Sequence, residues 1–318
     1  MTSLRILVDI NPEQKDTLLL EKLQKLATTT TLDVTLFICD YQPAIASNLI
    51  LHPESLEQAV KQIKKQHQSH LEQLIEKFNH KNINYSTQVE WHKPYYESVM
   101  KAAKSMNADL VFKQATHHNR LKKIFITPGD FQLLKSCEQP LLLSKDNRWD
   151  NAECVMAAVD PSHHHSQDSH LDDIIIQQAK ELAEALSLPL KVCHVFDPAG
   201  WEVVMNSTAS TGVMGQFIVL DTPEDHQALM KRIRNEHLAQ LKILKERHQL
   251  SDDETVLLEG FPEEALEQAA AQNKAALLVV GTTYRSGLLG STAERLLDDV
   301  SCDIVAVKPG DFDALQTH

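Results

Sequence analysis

The stretch LLVVGTTYRSGLLGSTAERLLDDVSCDIVAVK, Leu277 to Lys308, decides how the rest of the chain is read. It opens on a short apolar run that stops at Gly281, the pattern of a strand buried on both faces and ending in a turn. A glycine-bearing loop, TTYRSGLLG, follows. In STAERLLDDV, Ser291 and Glu294 have the spacing of a capping box, which marks a helix start. CDIVAVKP, Cys302 to Pro309, reads as a second buried strand. Strand, loop, helix start and parallel strand form a βαβ unit whose backbone amides at Gly290 and Ser291 are placed to face an anion.

Working back from that unit, its parts occur twice in the chain. LRILVDI (Leu4 to Ile10) and CVMAAVD (Cys154 to Asp160) are matching first strands ending in Asp9 and Asp160. DVTLFICD and LKVCHVFD match as second strands. Two long helices follow, one over about Pro53 to Asn79 and one opened by Thr222-Pro223-Glu224-Asp225. The second carries an apolar stripe of Leu229, Ile233, Leu238, Leu241 and Leu244. Asn11-Pro12 and Thr127-Pro128 are further helix starts. Pro94 and Pro262 stand 168 positions apart (262 − 94), and so do Lys113 and Gly281 (281 − 113). The order and length of elements agree as well as residue type, so we read two domains, 1–148 and 149–318, joined near Asn147 to Ala152.

The chain has 318 residues and a formal net charge of −13, which argues against a nucleic-acid partner held through phosphates. Five scattered cysteines form no CxxC pattern and read as reduced, buried thiols. The N-terminal MTSLRILVDI is too short and charged for a signal peptide. No apolar run reaches membrane-spanning length, so the expectation is a cytoplasmic protein without a membrane partner.

The glycine loop resembles the C-terminal signature of universal stress protein domains. Nucleotide-binding members of that family carry a glycine at the strand end, a second glycine three residues on and, nine residues later, Gly-Ser or Gly-Thr. Gly281 matches the first position and Gly290-Ser291 the last pair. Tyr284 stands in place of the second glycine, and only five residues, Arg285 to Leu289, separate it from Gly290. The tandem arrangement, and DLVFK…TPGDFQLLKSCEQP in the first copy, are similar to the E-type members of proteobacteria. The resemblance covers almost the entire chain. It implies an α/β fold of two tandem doubly wound domains (adenine nucleotide alpha hydrolase-like), each a five-stranded parallel sheet flanked by helices.

Ligands of open α/β sheets settle at the carboxyl ends of strands where strand order reverses. Asp160 fits that crevice, and the resemblance implies contact with the adenine end of ATP; an Asp-Pro pair also favours plain loop capping. Gly281, Thr282, Gly287, Gly290, Ser291 and Thr292 would cradle phosphate, with Arg285 or Arg295 as counter-charge. The same glycines also serve as ordinary turn and cap residues. The loop is four residues shorter than the family's, which removes up to about 13 Å of reach. A monophosphate or sulfate therefore fits it more readily than ATP. Copy one has lost the motif: Lys113, His117, His118, Arg120, Lys122 and Lys123 form either a basic mouth or a solvated loop. His163, His165 and His170, with Asp172 and Asp173, are weak metal candidates, because consecutive histidines diverge. Ala199 to Asp221 reads as an apolar lid, or as a surface for the other domain or a second copy in a homodimer. No Ser-His-Asp, paired-carboxylate or Walker-type arrangement calls for turnover. The expectation is a non-enzymatic stress-response protein with a small-ligand crevice in its C-terminal domain. An ATP-binding switch and a pure scaffold are the alternatives.

Overall fold

The structure, a computed structural model, describes residues 3–12, 17–46, 53–117, 124–125, 127–161, 170–198, 223–282, 284–285, 288–289, 296–297 and 299–309. The first half runs β1 (Leu4–Asp9), α1 (Thr17–Leu26), β2 (Leu32–Asp40), α2 (Pro43–Ala46), α3 (Pro53–Lys77), β3 (Ile83–Trp91), α4 (Tyr95–Ser105) and β4 (Leu110–Gln114). A small hairpin, β5 (Thr116–His117) and β6 (Ile124–Phe125), leads to α5 (Pro128–Ser136) and β7 (Leu141–Ser144). After a 3₁₀ turn, Trp149–Asn151, the series restarts with β8 (Cys154–Val159), α6 (Leu171–Leu186), β9 (Leu190–Phe196), α7 (Pro223–Arg247) and β10 (Thr255–Glu259). It ends with α8 (Pro262–Gln272), β11 (Ala275–Gly281), the hairpin β12 (Tyr284–Arg285) and β13 (Leu288–Leu289), and β14 (Asp303–Val307).

Each half supplies five parallel strands, as its two-sided apolar runs require. The expectation of one separate sheet per half needs a correction. β7 and β14 pair antiparallel, with Val305 opposite Leu142, and fuse the two into one ten-stranded sheet ordered β10-β9-β8-β11-β14-β7-β4-β1-β2-β3. Both seam strands are wholly buried, and an unpaired apolar edge of that kind would invite foreign strands. Pairing the two edges with each other removes the hazard.

Alternate residues feed opposite faces, following the period of two in a strand. Ile6, Val8, Leu277 and Val279 join one apolar layer with α1, α3, α6 and α7; Leu7, Leu278 and Val280 join the other with α4, α5 and α8. Each layer runs unbroken across the seam. Thr127 caps α5 with a reciprocal bond to Asp130, and Pro262 occupies the first turn of α8, as their sequence positions predict. Residues 13–16 lie outside the described set, so the α1 start at Pro12 is not described; the helix is described from Thr17. One stripe residue is corrected: Leu238 is 41% exposed, and His237 takes the inward position between Ile233 and Leu241.

The seam also buries charge that the apolar pattern conceals. Lys22, from α1, sits among leucines, and its ammonium donates to Asp303 (2.8 and 3.0 Å), Ser144 Oγ (2.9 Å), the Lys145 carbonyl (2.9 Å) and Asn147 Oδ1 (3.2 Å). Asp303 also accepts from the Lys145 amide (2.9 Å) and Trp149 Nε1 (3.0 Å). Burial pushes the Asp303 carboxyl up to about 6 against the opposing pull of Lys22, and burial likewise lowers Lys22. Lys145 then reaches across to the Val300 carbonyl. These bonds tie strand ends of one half to a helix and linker of the other.

Candidate functional site

Strand order reverses between β1 and β4 in the first half and between β8 and β11 in the second. Those points open the two crevices where α/β sheets bind ligands. In the first half, register puts Asp9 beside Lys113. The Lys113 ammonium donates to Asp9 Oδ2 at 2.6 Å, lies 3.5 Å from Asp130 Oδ1, and stands 5.1 Å from the centre of the Tyr95 ring. Tyr95 in turn donates its hydroxyl to Asp130 (3.1 Å). Burial works against the charge on Lys113, but Asp9, Tyr95 and Asp130 outweigh it and hold the ammonium well above its ordinary value. Gly129 lets Tyr95 lie there, because a Cβ at 129 would collide with the Tyr95 ring. Among the described residues, this switch point is occupied by the chain's own salt cluster. Lys113 belongs to that cluster and not to a basic mouth; His118, Arg120, Lys122 and Lys123 lie outside the described residues, and His117 is described only as backbone in β5.

At the equivalent place in the second half stands Gly281, at the end of β11. A Cβ there would come within 2.6 Å of Leu171 Cδ2 and 2.9 Å of its Cγ, so helix α6 packs directly over the bare backbone. Asp160, one residue past β8, is exposed, and its amide donates to Asp172 Oδ1 (3.0 Å). Thr282 is buried, and both its amide (2.7 Å) and its hydroxyl (3.1 Å) donate to the Val307 carbonyl. Arg285 pairs with Leu288 across the β12–β13 hairpin. Gly287, Gly290, Ser291 and Thr292 lie outside the described residues, as do His163, His165 and the stretch 199–222.

The hairpins themselves repeat. Tyr284–Arg285 follows Thr116–His117 by 168 positions (284 − 116), yet Leu288–Leu289 follows Ile124–Phe125 by only 164 (288 − 124). The second loop is thus four residues shorter than the first and turns back sooner. Sequence reading named the glycines here and missed the hairpins, whose two-residue strands are too short to show periodicity.

His170 lies 3.6 Å from Asp173, but that carboxylate already accepts from His248 Nε2 (2.6 Å) and Arg247 Nη1 (3.1 Å). Burial alone would raise the Asp173 carboxyl; the bonds from His248 and Arg247 win and lower it. Asp173 thereby staples the start of α6 to the end of α7. Among the described residues no group of three or more His, Cys, Asp or Glu is placed to hold a metal ion. No described helix is long and apolar enough to cross a membrane.

A polar chain missed at the level of sequence ends on Val159, the residue before Asp160. His194 Nδ1 is 3.2 Å from the Val159 carbonyl, and His194 Nε2 is 2.8 Å from His237 Nδ1. Its signal was available: His237 falls four residues after Ile233 and four before Leu241, on the inward stripe.

With this geometry in place, the chain can be compared with known proteins. The sequence pattern described as "Universal stress protein family" matches residues 155–308. The chain is similar to the universal stress protein E homolog of Haemophilus influenzae, 25% identical over 320 residues that cover 97% of this chain and 98% of that one. It is similar to universal stress protein E of Escherichia coli K12, 24% identical over 312 residues, 96% of this chain and 94% of the other. Among solved structures it resembles a putative universal stress protein from Pseudomonas aeruginosa, with a TM-score of 0.70 and 22% identity over 98% of this chain and 95% of that one. That likeness speaks to the fold.

Proposed function

Because this chain belongs to the universal stress protein family and has the two-domain arrangement of its E-type members, we propose that it is a non-enzymatic stress-response protein that binds a small phosphate-containing ligand in its C-terminal half. The supporting observation is the contrast between the two switch points. In the first, Lys113, Asp9 and Asp130 satisfy one another. In the second, Leu171 of α6 packs over the bare backbone of Gly281, and Asp160, at the carboxyl edge of the sheet, is exposed. The short β12–β13 hairpin favours a compact anion over an extended triphosphate.

Calorimetric titration of the full-length protein with inorganic phosphate and with ATP tests this reading. One site per chain is expected; Asp160→Ala should weaken ATP and leave inorganic phosphate in place, with ATP recovered intact afterwards. Two sites per chain, ATP binding untouched by Asp160→Ala, or turnover of ATP would overturn it. Saturation a hundredfold above the dissociation constant would raise stability by about 2.7 kcal/mol.

A further inference from the structure

His237 interrupts the apolar stripe of α7. It is half-buried, stacks on Phe196 (ring centroids 5.2 Å apart, planes 25° apart) and holds His194, which is 1% exposed and anchored to the Val159 carbonyl. Val159 directly precedes Asp160. These contacts dictate where the protons sit. A backbone carbonyl only accepts, so His194 Nδ1 must carry a hydrogen and donate to Val159. In a neutral imidazole the other nitrogen is then bare, so His194 Nε2 accepts, and His237 Nδ1 is its donor. His237 Nε2 is left bare, with no hydrogen-bond partner among the described residues.

We propose that the His194–His237 pair is a proton-responsive element of the C-terminal crevice: the next proton goes to His237 Nε2, turns it from acceptor to donor, and sets an internal cation against the Asp160 carboxylate. The proton comes from solvent and only an N–H bond forms; the bonds to His194 and Val159 stay as they are. Burial disfavours the charged ring and lowers its titration, while Asp160, at the end of β8, and Glu236, on the same helix, favour the charge. His194 is what β9 presents to it, and Arg234, one turn earlier on α7, is engaged with Glu259 of β10 at 3.6 Å. Acidification therefore places a positive charge within electrostatic reach of Asp160. Its bearing on a ligand rests on the reading of Asp160 as a crevice residue.

Two-bond ¹H–¹⁵N correlation spectra of the full chain with ¹⁵N-labelled histidine, recorded between pH 8 and 5, test the pair; His237→Asn identifies the His237 signals. At high pH both rings should show the Nδ1–H tautomer. On acidification the added proton should appear at His237 Nε2, and Asp160→Asn should move that titration to lower pH. An Nε2–H tautomer at His237, or a titration indifferent to Asp160→Asn, would overturn the proposal. The spectra need no ligand, so failure of phosphate or ATP to bind would count against the crevice and not against the proton pair.

Discussion

Removing one partner of the Lys22–Asp303 pair should be far more damaging than removing the charge of both. The pair is almost wholly buried, at 2% and 0% side-chain exposure, and it joins residues 281 positions apart across the seam. In Asp303→Asn the ammonium keeps only neutral acceptors, Ser144 Oγ, the Lys145 carbonyl and Asn147 Oδ1. In Lys22→Met a carboxylate is stranded with the Lys145 amide and the Trp149 indole. Each single change should cost about 3–5 kcal/mol, the usual penalty for an uncompensated buried charge. The double variant Lys22→Met/Asp303→Asn keeps an amide oxygen for Lys145 and Trp149 and buries no charge. It should therefore lose much less than the sum, with a coupling of at least about 2 kcal/mol. Denaturant unfolding followed by tryptophan fluorescence gives the three differences.

The pH dependence follows from the same carboxyl. Its folded value, about 6, lies above the ordinary 3.8, so folding takes up a proton. That contribution is fully present below 3.8 and is lost as pH rises through about 6. The stability advantage of the native protein over Asp303→Asn should therefore widen as pH falls from 8 to 5. Additive single-variant losses, or an advantage that shrinks over this range, would refute the account of the seam as a coupled buried pair.

Three other outcomes are expected. Gly281→Ala should destabilise the protein by about 1–3 kcal/mol without any ligand, because its Cβ would press on Leu171; adding Leu171→Ala should recover part of that loss in thermal melts. Lys113→Met should leave Asp9 and Asp130 without their shared ammonium, so its melting temperature should drop at neutral pH. Leu238→Lys should leave stability within about 0.5 kcal/mol, whereas His237→Lys should not, since only His237 points inward.

How far the sequence reaches can be judged residue by residue. Runs such as LLVVG and LRILVD announce strands buried on both faces, because nothing but apolar contact is asked of them. Thr127 and Pro262 announce helix starts through local chemistry that needs no partner. Lys22 announces nothing: in TLLLEKLQKL it looks like a solvent-facing lysine, and its acceptors lie more than a hundred positions away. The fusion of the two sheets is invisible for the same reason, since LLLS and DIVAV would read identically as edges or as neighbours. Lys113 was legible in principle. Overlaying the copies puts a lysine where the second half has glycine, with an aspartate waiting at the end of the first strand.

The seam also constrains how the two crevices can be used. Strands within each half are parallel, and β7 runs antiparallel to β14, so the carboxyl ends of the two halves lie on opposite edges of the sheet. No single small ligand can touch both switch points. Each crevice is therefore free to change without disturbing chemistry in the other, provided its buried groups remain satisfied. In the first half that condition is met internally: Asp9 acquires Lys113, Lys113 acquires Asp130, and Asp130 serves Tyr95 and the cap of α5 at once. A lysine in place of Gly281 could not do the same in the second half, because Leu171 and Ile175 of α6 already fill the space above it. The asymmetry is thus fixed by the packing of α6, and reversing it would require moving a helix as well as changing one residue.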